Sequence, residues 1–317
     1  MVQKRRIGGS EIEVAPLALG GNVFGWTADE QTSFALLDAF IDAGGTMIDT
    51  ADVYSFWVPG HVGGESETLI GRWLKRDPSK RDKIVIATKV GFNDGLAADT
   101  IARACEASLK RLGIERIDLY YHHKDDPDVP LAESLGAMDV LLKAGKIRAV
   151  GLSQYSAERL DEAMKTARAH DLARPCALQT WYNLVDRPKL EGPLRDAAIE
   201  HGLGIIPFYG LANGFLSGKY RSMSDLGKSA RGSRVEEYLK GNGPRVLSAL
   251  DEVSSETGAP LAAVALAWTN AQPGIAATLA SATSLGQLEQ LTKSLDLSLT
   301  NDQLRLLDEA SADAVPA

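Results

Sequence analysis

The chain has 317 residues with 34 Lys+Arg against 42 Asp+Glu, a net charge of −8, and 44% hydrophobic against 24% charged residues. That is a globular make-up, which excludes collagen, coiled coil and general disorder, and the acidic balance argues against a nucleic-acid partner, whose phosphates need a basic face. Cys105 and Cys176 are too few for a disulfide framework. The basic start Met1–Ile7 leads into no apolar signal segment, and the longest apolar run, Leu261–Trp268, is far short of a membrane span. A cytoplasmic protein with no membrane contact is therefore expected.

Taken in chain order, short apolar runs alternate with amphipathic segments. Residues 5–14 read as a hairpin around Gly8-Gly9. Leu17–Gly21 reads as a strand, and Asp29–Ala43 as a helix with Phe34, Leu37, Phe40 and Ile41 on one stripe and Gly44-Gly45 after its end. The alternation continues through strands at 46–49, 84–89, 117–123, 149–153, 177–180, 204–208 and 275–281. The helices between them are expected at 65–76, 100–112, 131–144, 157–170 and 193–201. After 204–208 comes a long polar loop, then helices at 245–256 and 259–269. Two more follow at 285–293 and 300–310, the last opened by Thr300 with Gln303 three residues on.

Eight strand–helix units without a Pro/Ser/Gly-rich break fit one closed (β/α)₈ TIM barrel, a single domain over 1–317, in about 270 residues of repeat. The hairpin would plug the N-terminal end, and the last helices are additions. In such a barrel the strand C-termini converge on one rim, where active sites lie. Here they carry Asp49 with Tyr54 following, Lys89, His122-His123, Ser153-Gln154, Gln179, Phe208-Tyr209, and Ser281 with Thr283 following. Singly, each has a bland explanation: a lysine at a strand end is usually a solvated tip, and an Asp there a turn residue. Jointly, a buried Asp–Lys pair beside a phenol has one clear chemical use. The ammonium would stabilise phenolate and lower the Tyr pKa from about 10 toward neutrality, so that Tyr54 can exchange a proton. His122 and His123 are adjacent on a strand and point to opposite faces, so they cannot chelate one metal together. One is expected at the rim and the other outward under a helix. No metal site is expected.

Other motifs fail. No G-x-G-x-x-G follows a strand, so a Rossmann site is absent. Gly227-Lys228-Ser229 has Ser222 where a P-loop needs Gly. Gly151-Leu152-Ser153-Gln154-Tyr155 lacks the last Gly of a nucleophile elbow.

The run Asp49-Thr50-Ala51-Asp52-Val53-Tyr54 resembles the D-T-A-x-x-Y signature of the aldo-keto reductases. Gly64-Glu65-Ser66-Glu67 with Leu69-Ile70-Gly71, Ile86-Ala87-Thr88-Lys89, Ile117 to His123, and Gly145 to Ser153 resemble the family's next segments in order, over essentially the whole chain. The resemblance implies a barrel reductase of aldehyde and ketone carbonyls that binds an extended NADP(H), with NAD(H) as the alternative. Its catalytic tetrad would be Asp49, Tyr54, Lys89 and His123, with His123 chosen over His122. By match, Ser153, Gln154 and Gln179 would hold the nicotinamide carboxamide, and Phe208 would stack on the ring beside Tyr209. Gly210, Leu211, Gly214, Leu216 and Lys219 would follow the pyrophosphate, and Ser281, Thr283, Gln287 and Gln290 the adenosine end. Gly20, Gly21 and Asn22 complete the cofactor set. Phe24, Tyr54, Phe56, Trp57 and His123 would form the substrate pocket, since the segment 55–63 inserted after Tyr54 must lie at its mouth.

The sequence departs from the family at Gln154, where Asn is usual, at Phe208-Tyr209-Gly210, where Tyr-Ser-Pro is common, at Thr283, where many members place Arg, and at Leu291, where an Asn often closes the adenine contacts. The stretch 219–245 holds Lys219, Arg221, Lys228, Arg231, Arg234, Lys240 and Arg245 against three acidic residues, a local positive excess expected to fold over a bound pyrophosphate. NADPH is expected over NADH, with a small-molecule carbonyl partner and a monomer or weak homo-oligomer. A second expectation from the same resemblance is a slow nicotinamide-sensing regulator of the channel-β-subunit type.

Overall fold

The computed structural model describes residues 2–228 and 232–312. Strands β1 (Arg5–Arg6) and β2 (Glu13–Val14) form the antiparallel hairpin. The barrel strands are β3 (Leu17–Gly20), β4 (Met47–Asp49), β5 (Val85–Val90), β6 (Ile117–His122), β7 (Ile147–Ser153), β8 (Ala177–Trp181), β9 (Gly204–Phe208) and β10 (Thr278–Ala280). They are parallel and run in the order β10-β3-β4-β5-β6-β7-β8-β9. Next to β9 the ring is closed by an isolated bridge from Ile205 to Ile275, three residues before β10. The last strand was expected from Ile275, but its ladder with β3 begins at Thr278.

Between the strands lie α1 (Glu30–Asp42), α2 (Glu65–Arg76), α3 (Ala98–Leu112), α4 (Leu131–Lys143), α5 (Ala157–Ala169) and α6 (Pro193–Glu200). The polar stretch after β9 is not a plain loop. It contains short 3₁₀ turns at Ala212–Ser217, Met223–Lys228 and Gly232–Val235 and a one-turn helix, α7 (Glu236–Lys240). Helices α8 (Gly243–Thr257), α9 (Leu261–Ala271), α10 (Leu285–Thr292) and α11 (Asn301–Ser311) complete the described chain. Local chemistry fixes their ends. Asp29 accepts from the Thr32 N–H at the start of α1, Gly113 ends α3 in the left-handed conformation, and Thr300 with Gln303 forms the capping box of α11. Among the described residues no helix is long and apolar enough to cross a membrane.

The barrel interior is filled by Ala18, Met47, Val85, Ala87, Leu119, Tyr121, Ala149, Ala177, Ile206 and Leu279, which form one buried cluster with Ile7, Ile12 and Val14 of the hairpin. The hairpin is thus the floor of the barrel. Residues of opposite parity, such as Ile48, Ile86, Val90 and Tyr120, pack outward against the helices.

Candidate active site

The period of two along each strand decides which polar side chains enter the rim. Val85 and Ala87 face the interior, so Lys89 does too; Leu119 and Tyr121 do, so His123 follows. The same count carries Met47 to Asp49, Ala149 through Gly151 to Ser153, and Ala177 to Gln179. His122, of opposite parity, faces outward, where its Nδ1 lies 2.9 Å from the Tyr155 hydroxyl. Burial first of all pushes the His122 imidazole down to about 4, so it stays neutral. The two histidines therefore part as the strand geometry requires.

At the rim the Lys89 ammonium donates to Asp49 Oδ1 at 2.5 Å, to the Thr50 carbonyl at 2.7 Å and to the Tyr54 oxygen at 3.0 Å. All three of its protons are used, and both partners of the Asp49–Lys89 pair are buried. The second oxygen of Asp49 accepts from Gln179 Nε2 at 2.8 Å. Burial would pull the ammonium down, but Asp49 and the phenol outweigh it, and Lys89 sits above its ordinary value. Tyr54 departs from the expectation. Burial raises its phenol above 10.0, and the opposing pull of Lys89 does not overcome that. Without ligand the phenol is protonated, with its oxygen already accepting from Lys89 and its own O–H left to donate. His123 lies with its ring 6.0 Å from that of Tyr54. Burial, then Lys89 and Lys124, hold the imidazole well below 6.5, so it is neutral.

These groups open on a cavity of about 740 Å³ running across the strand ends. Of the residues expected at the cofactor, Gly20, Asn22, Asp49, Ser153, Gln154, Gln179, Phe208, Tyr209, Gly210, Leu211, Gly214, Lys219, Ser281, Thr283 and Gln287 line it. Gly21 does not; it is buried behind the rim, its carbonyl accepting from Ser66 Oγ. Leu216 is fully buried in the core beneath the 212–217 turn, and Gln290 is exposed on the outer side of α10. Phe24 is also off the pocket. It has no exposed surface, belongs to the core outside the barrel, and offers only its carbonyl, to Ser55 Oγ. Tyr54, Phe56, Trp57 and His123 line the mouth. Gln154 has φ +57, and its Nε2 donates to the His123 carbonyl, so that amide nitrogen is already engaged.

The positive excess of 219–245 is mostly not at the cavity. Arg221 forms a two-pronged pair with Asp251, Lys228 pairs with Asp225, Lys240 with Glu236, and Arg245 donates to carbonyls at the end of α11. Arg231 lies outside the described residues. Lys219 and Arg234 are the two of the set that line the cavity.

The cavity suits a phosphate-bearing dinucleotide on several counts. Ser153 Oγ and Asn213 Oδ1 are buried on its wall without a protein partner. A Cβ on Gly214 would fall 3.0 Å from Lys219 Nζ, and one on Gly20 would strike Ser281 Oγ at 2.5 Å, so glycine at these positions lets Lys219 and Ser281 lie close along the wall. Sequence reasoning missed Val23, Trp26, Thr27, Val53, Phe92, Trp181 and Asn213, all on the wall. Trp181 was within reach, since it lies two residues after inward-facing Gln179. Trp26 and Phe92 sit in irregular loops, where no period tells which way a ring turns.

A family model described as "Aldo/keto reductase family" matches residues 16–312. An uncharacterized oxidoreductase of Bacillus subtilis is 31% identical over 96% of this chain and 94% of its own. A probable voltage-gated potassium channel subunit beta of rice, Oryza sativa, is 31% identical over 93% of this chain and 92% of its own. An L-glyceraldehyde 3-phosphate reductase of Escherichia coli K12 is 29% identical over 98% of this chain and 93% of its own.

Proposed function

The chain belongs to the aldo/keto reductase family and is an NAD(P)H-dependent oxidoreductase, and from that premise we propose that it reduces aldehyde and ketone carbonyls to alcohols, with NADPH as the preferred reductant and Tyr54 as the proton donor. The observation that carries this reading is the Lys89 ammonium spending its three protons on Asp49, the Thr50 carbonyl and the Tyr54 oxygen. Ser153, Gln179, Phe208, Gly214 and Lys219 on the cavity wall would hold the reduced dinucleotide, which would supply the hydride for the carbonyl carbon. The chain's own residues do the rest. Tyr54 gives its proton to the carbonyl oxygen, which leaves a phenolate 3.0 Å from an ammonium already hydrogen-bonded to it. Asp49 and Thr50 fix that ammonium, and neutral His123 orients the carbonyl.

Preference for NADPH rests on Lys219 and Arg234 on the cavity wall and on the start of α10. There Ser284 caps the helix, and no acidic residue stands between Ala280 and Gly286 to repel a 2′-phosphate. Thr283 already donates its N–H and hydroxyl to Gln287 Oε1, so a phosphate there must displace that contact. The margin is smaller than an Arg clamp would give.

Tyr54→Phe tests the proposal. It keeps the ring and removes only the proton, and loss of a positioned acid is expected to lower kcat by about 10² to 10⁴ with cofactor binding unchanged. Near-normal turnover in the variant would end the reading. Relatives named as channel β subunits support a second reading, a slow nicotinamide-sensing regulator. It is separated by steady turnover: a sensor would stall after about one cycle per site.

A further inference from the structure

The substrate end of the cavity differs sharply from the cofactor end. Five rings close a circuit of contacts there: Trp57 with Tyr54 at 6.2 Å, Tyr54 with His123 at 6.0 Å, His123 with Phe92 at 4.8 Å, Phe92 with Phe56 at 6.4 Å, and Phe56 with Trp57 at 5.5 Å between centroids. Trp26 adds a sixth ring, edge-on to Trp57 at 5.6 Å. Phe56 and Trp57 remain 39% and 40% exposed, although they are large apolar side chains. Their loop is held at both ends. Ser55 Oγ donates to the Phe24 carbonyl, and the N–H groups of Val62 and Gly63 donate to the Glu65 carboxylate. The exposed rings are thus presented at a fixed place beside the Tyr54 hydroxyl, where apolar surface marks a ligand site. Charge points the same way. His123 is neutral, Lys89 has its protons engaged by Asp49, Thr50 and Tyr54, and the cations on the cavity wall are Lys219, just after the 212–217 turn, and Arg234, in the 232–235 turn that packs against it. Lys124, exposed, has its ammonium over the Phe92 ring at 5.0 Å and is not on the wall. A phosphate placed among the rings would lose its hydration with nothing to replace it.

We infer that the substrate is a neutral, flat aromatic aldehyde or ketone whose ring is held by Trp57, Phe56 and Phe92, and that phosphorylated sugar aldehydes are rejected. The inference rests on the reductase reading and deepens it. In this respect the chain parts from its relative named for L-glyceraldehyde 3-phosphate. A fused aromatic ring covers more of the exposed apolar wall than an ethyl group does, which at the usual value per unit of buried area amounts to about 100-fold in kcat/KM.

The test measures kcat/KM with NADPH for 2-naphthaldehyde, propanal and glyceraldehyde 3-phosphate, in the parent and in Trp57→Ala and Phe92→Leu. In the parent, 2-naphthaldehyde should exceed propanal by about 100-fold and the phosphate ester by more. Trp57→Ala should lower kcat/KM for 2-naphthaldehyde by about 10-fold or more, mainly through KM, and for propanal by a smaller factor. Circular dichroism and thermal melts report whether each variant has folded. Phosphate ester equal to or better than 2-naphthaldehyde overturns the inference while leaving the reductase reading intact, as does an equal fall for all three substrates in Trp57→Ala. No NADPH oxidation with any of the three removes the reductase reading, and the inference with it.

Discussion

Lys89 has three acceptors for its three ammonium protons, and Asp49 has a donor on each oxygen, Lys89 and Gln179. Such a pair is worth keeping only if every member is satisfied, because removing one partner strands a buried charge. Two residues before Tyr54 stands a carboxyl of the opposite kind. Asp52 donates its N–H to the Lys89 carbonyl, while its Oδ1 is buried without a partner. Glu67 from α2 and Asp94 from the loop after β5 face it, as does Arg111 from α3. Burial, then Glu67 and Asp94, push its carboxyl up to about 7, against the pull of Arg111. The unfolded value is about 3.9, so between roughly pH 4 and 7 the folded chain keeps a proton that the unfolded chain has released. Stability from this group therefore falls as pH rises through that window, and the whole penalty is present above pH 7. Asp52→Asn should melt with the parent near pH 4 and above it at pH 8, by about 2 °C for each kcal/mol recovered. Thermal melts across pH 4 to 9 check this; parallel curves for parent and variant would clear Asp52 of the effect.

The hairpin shows how one short element depends on another. Ile7 and Ile12 close it backbone to backbone, and both enter the barrel floor with Val14. Arg5 ties it to the far side of the ring through the Asn270 and Ile275 carbonyls. At its tip Gly8 has φ +48, and a Cβ there would lie 2.3 Å from the Cys176 carbonyl oxygen, 2.6 Å from that of Gly202 and 2.7 Å from the Gly204 nitrogen. All three are backbone atoms at the starts of β8 and β9, which cannot step aside. Gly8→Ala should cost on the order of 1 to 3 kcal/mol in denaturant unfolding. Gly9→Ala, whose Cβ meets nothing within 4 Å, should cost far less. Equal melting of the two would mean that the plug does not brace the floor.

At the scale of the whole molecule, a dinucleotide anion approaches a protein of net charge −8. Attraction comes from Lys219 and Arg234, while Arg221, Lys228 and Lys240 are spent on carboxylates of the surface. The 2′-phosphate contribution should therefore be partly exposed and open to screening. The ratio of kcat/KM for NADPH over NADH is expected to fall between 50 and 500 mM salt, two concentrations set about a decade apart in ionic strength, and to rise in Thr283→Arg by about tenfold through a charge-assisted contact. Equal use of NADH at the lower salt would sink the NADPH preference.

The barrel was legible in the amino-acid order, because eight alternations of period two and period 3.6 admit few other closures, and the strands had only to be counted. That order also placed Lys89, Ser153 and Gln179 at strand ends and parted His122 from His123, while the choice of His123 came from the resemblance; the inward-facing neighbours of the barrel core show why. What it could not settle were quantities that depend on who surrounds a group. Whether Tyr54 rises or falls in pKa is a contest between burial and Lys89, and only the packed site shows that burial prevails. Phe24 and Trp26 lie two residues apart in one loop, yet the first is sealed in the core and the second lines the cavity. In irregular backbone no periodicity points a side chain, so that choice belongs to the tertiary contacts. The basic stretch after β9 likewise looked uniform in sequence, and distant partners such as Asp251 decided which cations remain for a ligand.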